Sequence, residues 1–273
     1  MKKRKIYDIK DIPKDVVIGN RTFKDTTEDE YLQLVKNYFD TAGKRWIRSF
    51  YQNINKSNFY SPNSSEYKLY EEGLFGDIDT SDMIGLEYGC GPGRNIINYN
   101  DRFKRIDGCD ISSTCKEASY INTEQHNITD YNYYVGDGKT IPCESNQYDL
   151  VFSLIVLQHI PVHDIRFKIM EDVYRVLKDG GYFCFQMGYG GYYAKVMEGN
   201  GEKTFVNECS HYLDNCYDVS GTNSTRDVSV MDVNYIVKDI QKIGFKTFDY
   251  QILETGPSDY HYNYIYIRVQ ILK

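Results

Sequence analysis

Three glycines at alternate positions form the part of the chain best suited to hold a ligand. The stretch Leu86-Glu87-Tyr88-Gly89-Cys90-Gly91-Pro92-Gly93-Arg94 follows an apolar, strand-like run. Glycine lets the backbone turn sharply there and lets a ligand approach closely. The spacing differs from the G-x-G-x-x-G of dinucleotide sites, whose third glycine would fall on Arg94. The acidic Glu87, two residues before the first glycine, would repel a pyrophosphate and suits a ligand with a positive group.

Two carboxylates follow the next predicted strands, Asp110 in Gly108-Cys109-Asp110-Ile111 and Asp137 in Val135-Gly136-Asp137-Gly138. A carboxylate at the end of the second strand can accept hydrogen bonds from both hydroxyls of a ribose. Asp137 can accept from the amino group of an adenine. The alternatives are ordinary local roles, a helix-capping residue for Asp110 and a turn residue for Asp137.

Two histidines lie in Gln158-His159-Ile160-Pro161-Val162-His163-Asp164, directly after the fourth predicted strand. The carboxyl edge of a doubly wound sheet is where ligands bind, so His159 is the candidate general base. A structural histidine that bridges loop and helix is the alternative. His163, beside Asp164, fits the start of a helix better than a base. We nevertheless place Gln158 and His163 with His159 among the candidate acceptor contacts.

The order of elements predicts an α/β fold with a parallel sheet, because strands alternate with helices. The predicted strands cover 83–88, 105–110, 133–135, 148–153 and 182–186, and Gly180-Gly181 is expected to end the helix before the fifth. A segment from 188 to 227, rich in glycine and tyrosine, breaks this rhythm as an insert that is long for a loop. The last two strands, 246–253 and 262–272, are joined by a short turn and must therefore be antiparallel neighbours.

Residues 1–80 are expected to form a separate unit before this domain. Residues 1–26 read as a polar arm, and Thr27-Glu28-Asp29-Glu30 fits a capping box that starts a helix. A second apolar pattern runs from Trp46 to Ile54, and an Asn/Ser-rich loop follows it. Two helices are therefore predicted ahead of the main domain, which spans 81–273.

Composition excludes several classes of function. The 273 residues carry a net charge of −7, with pI near 5.3. An acidic surface argues against nucleic acid as the main partner. The longest apolar run is too short to span a membrane, and the first residues lack the apolar core of a signal peptide. Seven scattered cysteines with no C-x-x-C pair predict free thiols in the cytosol and make a metal site improbable.

Together these motifs resemble the class I, Rossmann-like S-adenosylmethionine-dependent methyltransferase superfamily, in its branch of small enzymes that act on small molecules. The resemblance covers residues 80–187, including Tyr148–Ser153 and Arg175-Val176-Leu177-Lys178-Asp179-Gly180-Gly181, where Asp179 replaces the usual proline. It implies a doubly wound seven-stranded sheet, mostly parallel, with the last strand antiparallel. It also implies S-adenosylmethionine as cofactor. The implied cofactor contacts are Glu87, Gly89, Cys90, Gly91, Gly93, Arg94, Asp110, Ile111, Asp137, Gly138, Ser153 and Leu154.

The methyl acceptor is not written in the sequence. Ser153-Leu154-Ile155-Val156 replaces the Asn/Asp-Pro-Pro-aromatic motif of enzymes that methylate DNA or protein nitrogens. We therefore expect an oxygen or nitrogen of a small molecule as acceptor. A protein or peptide methyltransferase, a non-catalytic S-adenosylmethionine-binding protein and, most weakly, a nicotinamide dehydrogenase remain open. The expected acceptor site combines the N-terminal helices with the insert, through Trp46, Tyr189 and Tyr192; packing onto the core is the alternative for Trp46.

Overall fold

The computed structural model describes residues 6–7, 27–51, 65–189, 192–199, 202–207, 209–213, 215, 227–230, 232–254 and 263–270. The helices are α1 (Glu28–Tyr51), α2 (Ser65–Phe75), α3 (Arg94–Tyr99), α4 (Ser113–Glu124), α5 (His163–Val176) and α6 (Val233–Ile243). The strands are β1 (Ile6–Tyr7), β2 (Ile84–Tyr88), β3 (Arg105–Asp110), β4 (Tyr133–Val135), β5 (Tyr148–Ser153), β6 (Leu177–Tyr189), β7 (Tyr192–Gly199), β8 (Glu202–Asn207), β9 (Cys209–His211), β10 (Asp227–Val230), β11 (Thr247–Glu254) and β12 (Asn263–Gln270).

The central sheet has the order β11-β12-β6-β5-β2-β3-β4. Strands β2 to β6 pair in parallel, whereas β12 is antiparallel to both of its neighbours, β6 and β11. The predicted seven-stranded, mostly parallel sheet with an antiparallel last strand is confirmed. Strands β2 and β5 are buried almost throughout, as expected for parallel strands covered on both faces.

The predicted division of the N-terminal region into two helices at Trp46 is wrong. One helix, α1, runs without a break from Glu28 to Tyr51, and the helix that follows is α2. A capping box does start α1: the backbone N–H of Thr27 donates to Glu30 Oε2 at 2.9 Å. The apolar pattern is interrupted at Gly43, where α1 approaches α4 closely. A Cβ on Gly43 would lie 3.0 Å from the Thr114 side chain, so the small residue there reflects close packing and not the end of a helix.

The boundary between α5 and β6 also differs from the prediction. Helix α5 ends at Val176, before Gly180-Gly181, and β6 starts at Leu177, which pairs with Tyr148. The double glycine therefore lies in an irregular stretch of β6, where Gly180 has a φ of +78° and the register with β5 shifts, rather than closing the helix. A run of 13 residues in β6 could not be read from the short apolar core at 182–186.

The described residues of the segment 188–227 are mostly strand, not irregular loop. Strands β7 and β8 form an antiparallel hairpin that β1 joins, giving a separate three-stranded sheet. Strand β10 pairs in parallel with the end of β6 and with β9, which extends the central sheet to nine strands. A local hairpin, β7–β8, and pairing with the distant strands β1 and β6 together order this region.

The carboxyl ends of β2, β3 and β5 meet at one edge of the sheet, with α1 close to them. Helix α1 packs on α4, and Asp40 accepts a hydrogen bond from the Ser112 hydroxyl at 2.6 Å. At its start, Glu28 pairs with Lys139 at 2.6 Å. These contacts fix α1 over the sheet edge. None of the helices in the described ranges is long and apolar enough to cross a bilayer.

Candidate functional site

The glycine turn predicted after β2 is present, and its three glycines have a left-handed backbone. The φ angles of Gly89, Gly91 and Gly93 are +76°, +50° and +82°. A Cβ on Gly91 would meet nothing within 4 Å, so this face of the turn is open to a ligand. A Cβ on Gly93 would lie 2.5 Å from the Ser119 hydroxyl. Gly91 therefore leaves room, while Gly93 lets the turn pack against α4.

Side chains from two other elements hold this turn in place. Gly91 donates its N–H to Asp110 Oδ2 at 2.9 Å, and its carbonyl accepts from the Tyr133 hydroxyl at 2.8 Å. Asn122 donates to the Pro92 carbonyl at 2.7 Å. Sequence reasoning missed Tyr133 and Asn122, because neither lies in a motif and only the packing of β4 and α4 brings them to the turn.

Glu87 is a buried carboxylate with one oxygen left over. Its side chain is 1% exposed, and Oε1 accepts from Asn95 Nδ2 at 2.6 Å. Oε2 has no hydrogen-bond partner among the described residues. Burial raises the pKa of Glu87 to about 8. A buried carboxylate needs a compensating charge or donor, so this oxygen suits a cationic ligand group.

Asp110 lies at the end of β3. Like Glu87, it lines a cavity between the glycine turn and α1. Its Oδ1 accepts from the N–H of Ser112 and its Oδ2 from the N–H of Gly91, and the backbone of Ile111 also hydrogen-bonds this carboxylate. An ionised carboxylate has about four acceptor sites, so capacity remains for a ligand hydroxyl. Ile111 lies beside it on the cavity wall.

Asp137 is an exposed turn residue, whereas its neighbour Gly138 lines the cavity. Oδ1 of Asp137 accepts from the N–H groups of Lys139 and Thr140 at 2.8 and 2.7 Å. This geometry favours the turn role for Asp137. The Gly138 carbonyl accepts from the hydroxyl of Tyr88, which ties the two loops together.

The cavity between these loops has a volume of about 320 Å³ and a largely apolar lining. Helix α1 supplies one wall, through Tyr31, Leu32, Val35 and Phe39. The sheet edge and the loop after β5 supply the rest, including Glu87, Gly89, Cys90, Gly91, Arg94, Asp110, Ile111, Gly138, Leu154, Ile155, Val156 and His159. A buried carboxylate with one oxygen that has no partner among the described residues, an open glycine face and an apolar slot together fit S-adenosylmethionine.

The loop after β5 brings His159 to the cavity and leaves His163 elsewhere. His159 ends a 3-10 turn, Leu157–His159, and lines the cavity. Gln158 is 3% exposed, and the Ser153 hydroxyl donates to the Tyr88 carbonyl. The ring of His163 lies 2.8 Å from Asp239 Oδ2 and contacts Tyr212 edge-on. That position favours a structural role for His163, joining α5 to α6.

The aromatic residues predicted for the acceptor site are placed unevenly. Tyr189 ends β6, where it is partly buried and packs against the main core. Tyr192 begins β7, and Trp46 lies within α1, but their side chains fall outside the described part of the structure. The aromatic residues of α1 that do reach the cavity are Tyr31 and Phe39.

Comparison with known proteins places the chain beside methyltransferases. Residues 86–185 match the family described as "Methyltransferase domain". Phosphoethanolamine N-methyltransferase 2 of Caenorhabditis elegans is 28% identical over 179 residues, which cover 65% of this chain and 39% of the relative. A Saccharomyces cerevisiae tRNA (carboxymethyluridine(34)-5-O)-methyltransferase is 28% identical over 127 residues, 45% of this chain and 43% of that one.

Among solved structures, Haemonchus contortus phosphoethanolamine N-methyltransferase 2 shares the fold. The TM-score is 0.59 at 18% identity, and the match covers 87% of this chain and 60% of that one. That structure holds phosphomonomethylethanolamine and S-adenosylhomocysteine. The chain spans about two fifths of the length of the two relatives named above, the Caenorhabditis elegans and Saccharomyces cerevisiae methyltransferases.

Proposed function

We propose that the chain methylates an oxygen or nitrogen of a small-molecule acceptor, with S-adenosylmethionine as the methyl donor; the match of residues 86–185 to the family described as "Methyltransferase domain" supports this proposal. The observation that carries the proposal is the buried Glu87, whose Oε2 has no partner among the described residues and lies at the glycine turn. A cationic amino-acid ligand is what such a carboxylate requires.

The residues of the chain have separable tasks in this proposal. Glu87 holds the ammonium of the cofactor, and Asp110 accepts hydrogen bonds from the ribose hydroxyls of the cofactor. The open face of Gly91 leaves room for the cofactor beside the backbone of the turn. Bound S-adenosylmethionine supplies an already electrophilic methyl group. The apolar wall of α1 excludes water from the cavity and keeps the acceptor aligned, an effect that can contribute roughly 7–11 kcal/mol.

His159 is the proposed general base for a hydroxyl or ammonium acceptor. It lies in the loop after β5 and lines the cavity. Its backbone N–H donates to the Val156 carbonyl at 2.9 Å, and this bond fixes the turn that carries the histidine. General base catalysis would contribute roughly 10²–10⁴-fold.

Charge favours a small acceptor over nucleic acid. The net charge of −7 opposes binding of a polyphosphate chain, although one relative acts on tRNA. The names of the relatives include both a small-molecule and a tRNA acceptor, so the proposed acceptor class rests on the charge of the chain.

The test measures S-adenosylhomocysteine formed from S-adenosylmethionine with three acceptors: phosphoethanolamine, a bulk tRNA preparation that carries its natural modifications, and a mixed peptide pool. Turnover with the small acceptor supports the proposal. Turnover only with tRNA or peptides assigns a macromolecular acceptor. Tight cofactor binding without turnover on a broad small-molecule panel would favour a binding protein, and absence of cofactor binding would refute the assignment.

A further inference from the structure

Ile155 has a backbone conformation that its side chain disfavours. Its φ is +58°, and the other non-glycine residues with positive φ in the described ranges are Asn127 and Asn146. Asparagine tolerates the left-handed region, whereas a β-branched residue there is a genuine outlier. Such strain persists only where the surrounding structure enforces it.

A side chain from the neighbouring strand holds this strained residue. The N–H of Ile155 donates to Oε1 of Gln186, which lies on β6, at 3.0 Å. Gln186 is fully buried, and its Nε2 has no partner among the described residues. Burying an amide group is unfavourable unless its hydrogen bonds compensate. The bond to Ile155 is therefore the interaction that this glutamine makes in compensation.

The strained turn forms part of the wall of the cofactor site. Ile155 and the next residue, Val156, both line the cavity. Val156 lies directly on Gly89, where an added Cβ would come within 2.4 Å of its methyl group. The Val156 carbonyl also accepts from the N–H of His159 at 2.9 Å. Moving Ile155 would therefore displace both the contact with the glycine turn and the turn that carries His159.

We propose that Gln186 is a positioning residue for methyl transfer. By accepting the N–H of Ile155, it holds a strained turn that seats Val156 against Gly89 and sets His159 at the cavity. Gln186 acts through the backbone and does not touch the reacting atoms. This inference rests on the proposed function, because the turn is assigned to a cofactor site.

Gln186→Met removes the acceptor oxygen at similar volume and tests the idea directly. The affinity for S-adenosylhomocysteine, measured by calorimetry, should fall roughly 5- to 50-fold, since a buried N–H is left without a partner. Gln270→Met is the matched control: Gln270 lies in the same sheet and donates to the Gly180 carbonyl at 2.9 Å, far from the cavity. It should change the affinity less than about twofold.

A double variant separates positioning from packing. Asn accepts the left-handed conformation, so Ile155→Asn should recover at least half of the loss, on a logarithmic scale, in the Gln186→Met background. A packing defect at Gln186 would not respond to the residue at 155. The proposal is overturned if Gln186→Met binds like the wild type, if Gln270→Met loses as much affinity, or if Ile155→Asn recovers nothing.

A further pair of variants applies even if Gln186→Met does not fold. Ile155→Asn and Val156→Asn both replace a β-branched, partly buried residue of the cavity wall, but only position 155 has a positive φ. Ile155→Asn should therefore unfold roughly 2–6 °C above Val156→Asn. The reverse order would contradict the strain on which the proposal depends. Wild-type protein that fails to bind S-adenosylhomocysteine would instead refute the proposed function itself.

Discussion

Glu87 should be mostly protonated in the ligand-free protein at neutral pH and should lose its proton when a cationic ligand binds. Burial raises its pKa to about 8, and Oε2 has no partner among the described residues. At pH 7 only about one molecule in ten then carries the carboxylate. The apparent affinity for S-adenosylhomocysteine at pH 7 should therefore be about tenfold below its value for the ionised site.

Calorimetry can count that proton. Titrations at pH 7 in two buffers of different ionisation enthalpy should show about one proton released per S-adenosylhomocysteine bound. 5′-Methylthioadenosine is the matched control ligand, because it keeps the adenosine and lacks the ammonium. It should release none. Glu87→Gln should abolish the proton release on binding of S-adenosylhomocysteine and should weaken the binding of S-adenosylhomocysteine more than that of methylthioadenosine.

The same raised pKa governs the stability of the ligand-free protein. Between the ordinary pKa of 4.5 and the folded value of about 8, the folded state binds more protons than the unfolded state. Stability from this group is present below pH 4.5 and is lost as the pH rises to about 8. The Tm should fall across this window, less so in Glu87→Gln. Equal proton release by both ligands, or an identical Tm profile in Glu87→Gln, would refute the reasoning.

Three further predictions concern the cavity. Asp110→Ala should weaken S-adenosylhomocysteine binding by about 1.5–3 kcal/mol in calorimetry, because it removes a charged acceptor and releases the N–H of Gly91; an unchanged Kd would exclude Asp110 from the site. His159→Ala should lower turnover roughly 10²-fold with cofactor affinity intact; turnover within a few-fold of wild type would leave His159 a structural role. Gly93→Ala should lower the Tm by several degrees, since its Cβ would lie 2.5 Å from the Ser119 hydroxyl, whereas Gly91→Ala should mainly impair cofactor binding; the opposite pattern would reverse the roles given to these glycines.

Local physics in the sequence was enough for the framework of the site. Glycine is the residue that turns freely after a strand, so the spacing of Gly89, Gly91 and Gly93 predicted a sharp turn, which the structure contains. The capping box at Thr27 predicted where α1 begins, because its hydrogen bonds join residues only three positions apart and are therefore visible in the local sequence. Alternating strand and helix patterns predicted the sheet, including its antiparallel end, because crossover length limits how strands can pair.

Contacts between distant segments decided the rest, and a sequence pattern holds no record of them. Tyr31 and Phe39 reach the cavity because of how α1 packs on α4. Asn95 is hydrogen-bonded to Glu87, 8 residues away, and Gln186 to Ile155, 31 residues away. Neither pairing follows from residue type alone. In the segment after β6, β7 and β8 pair with each other in a hairpin, whereas β7 also pairs with the distant β1 and β10 pairs with β6. Those last two pairings satisfy backbone groups that no local pattern in the sequence accounts for.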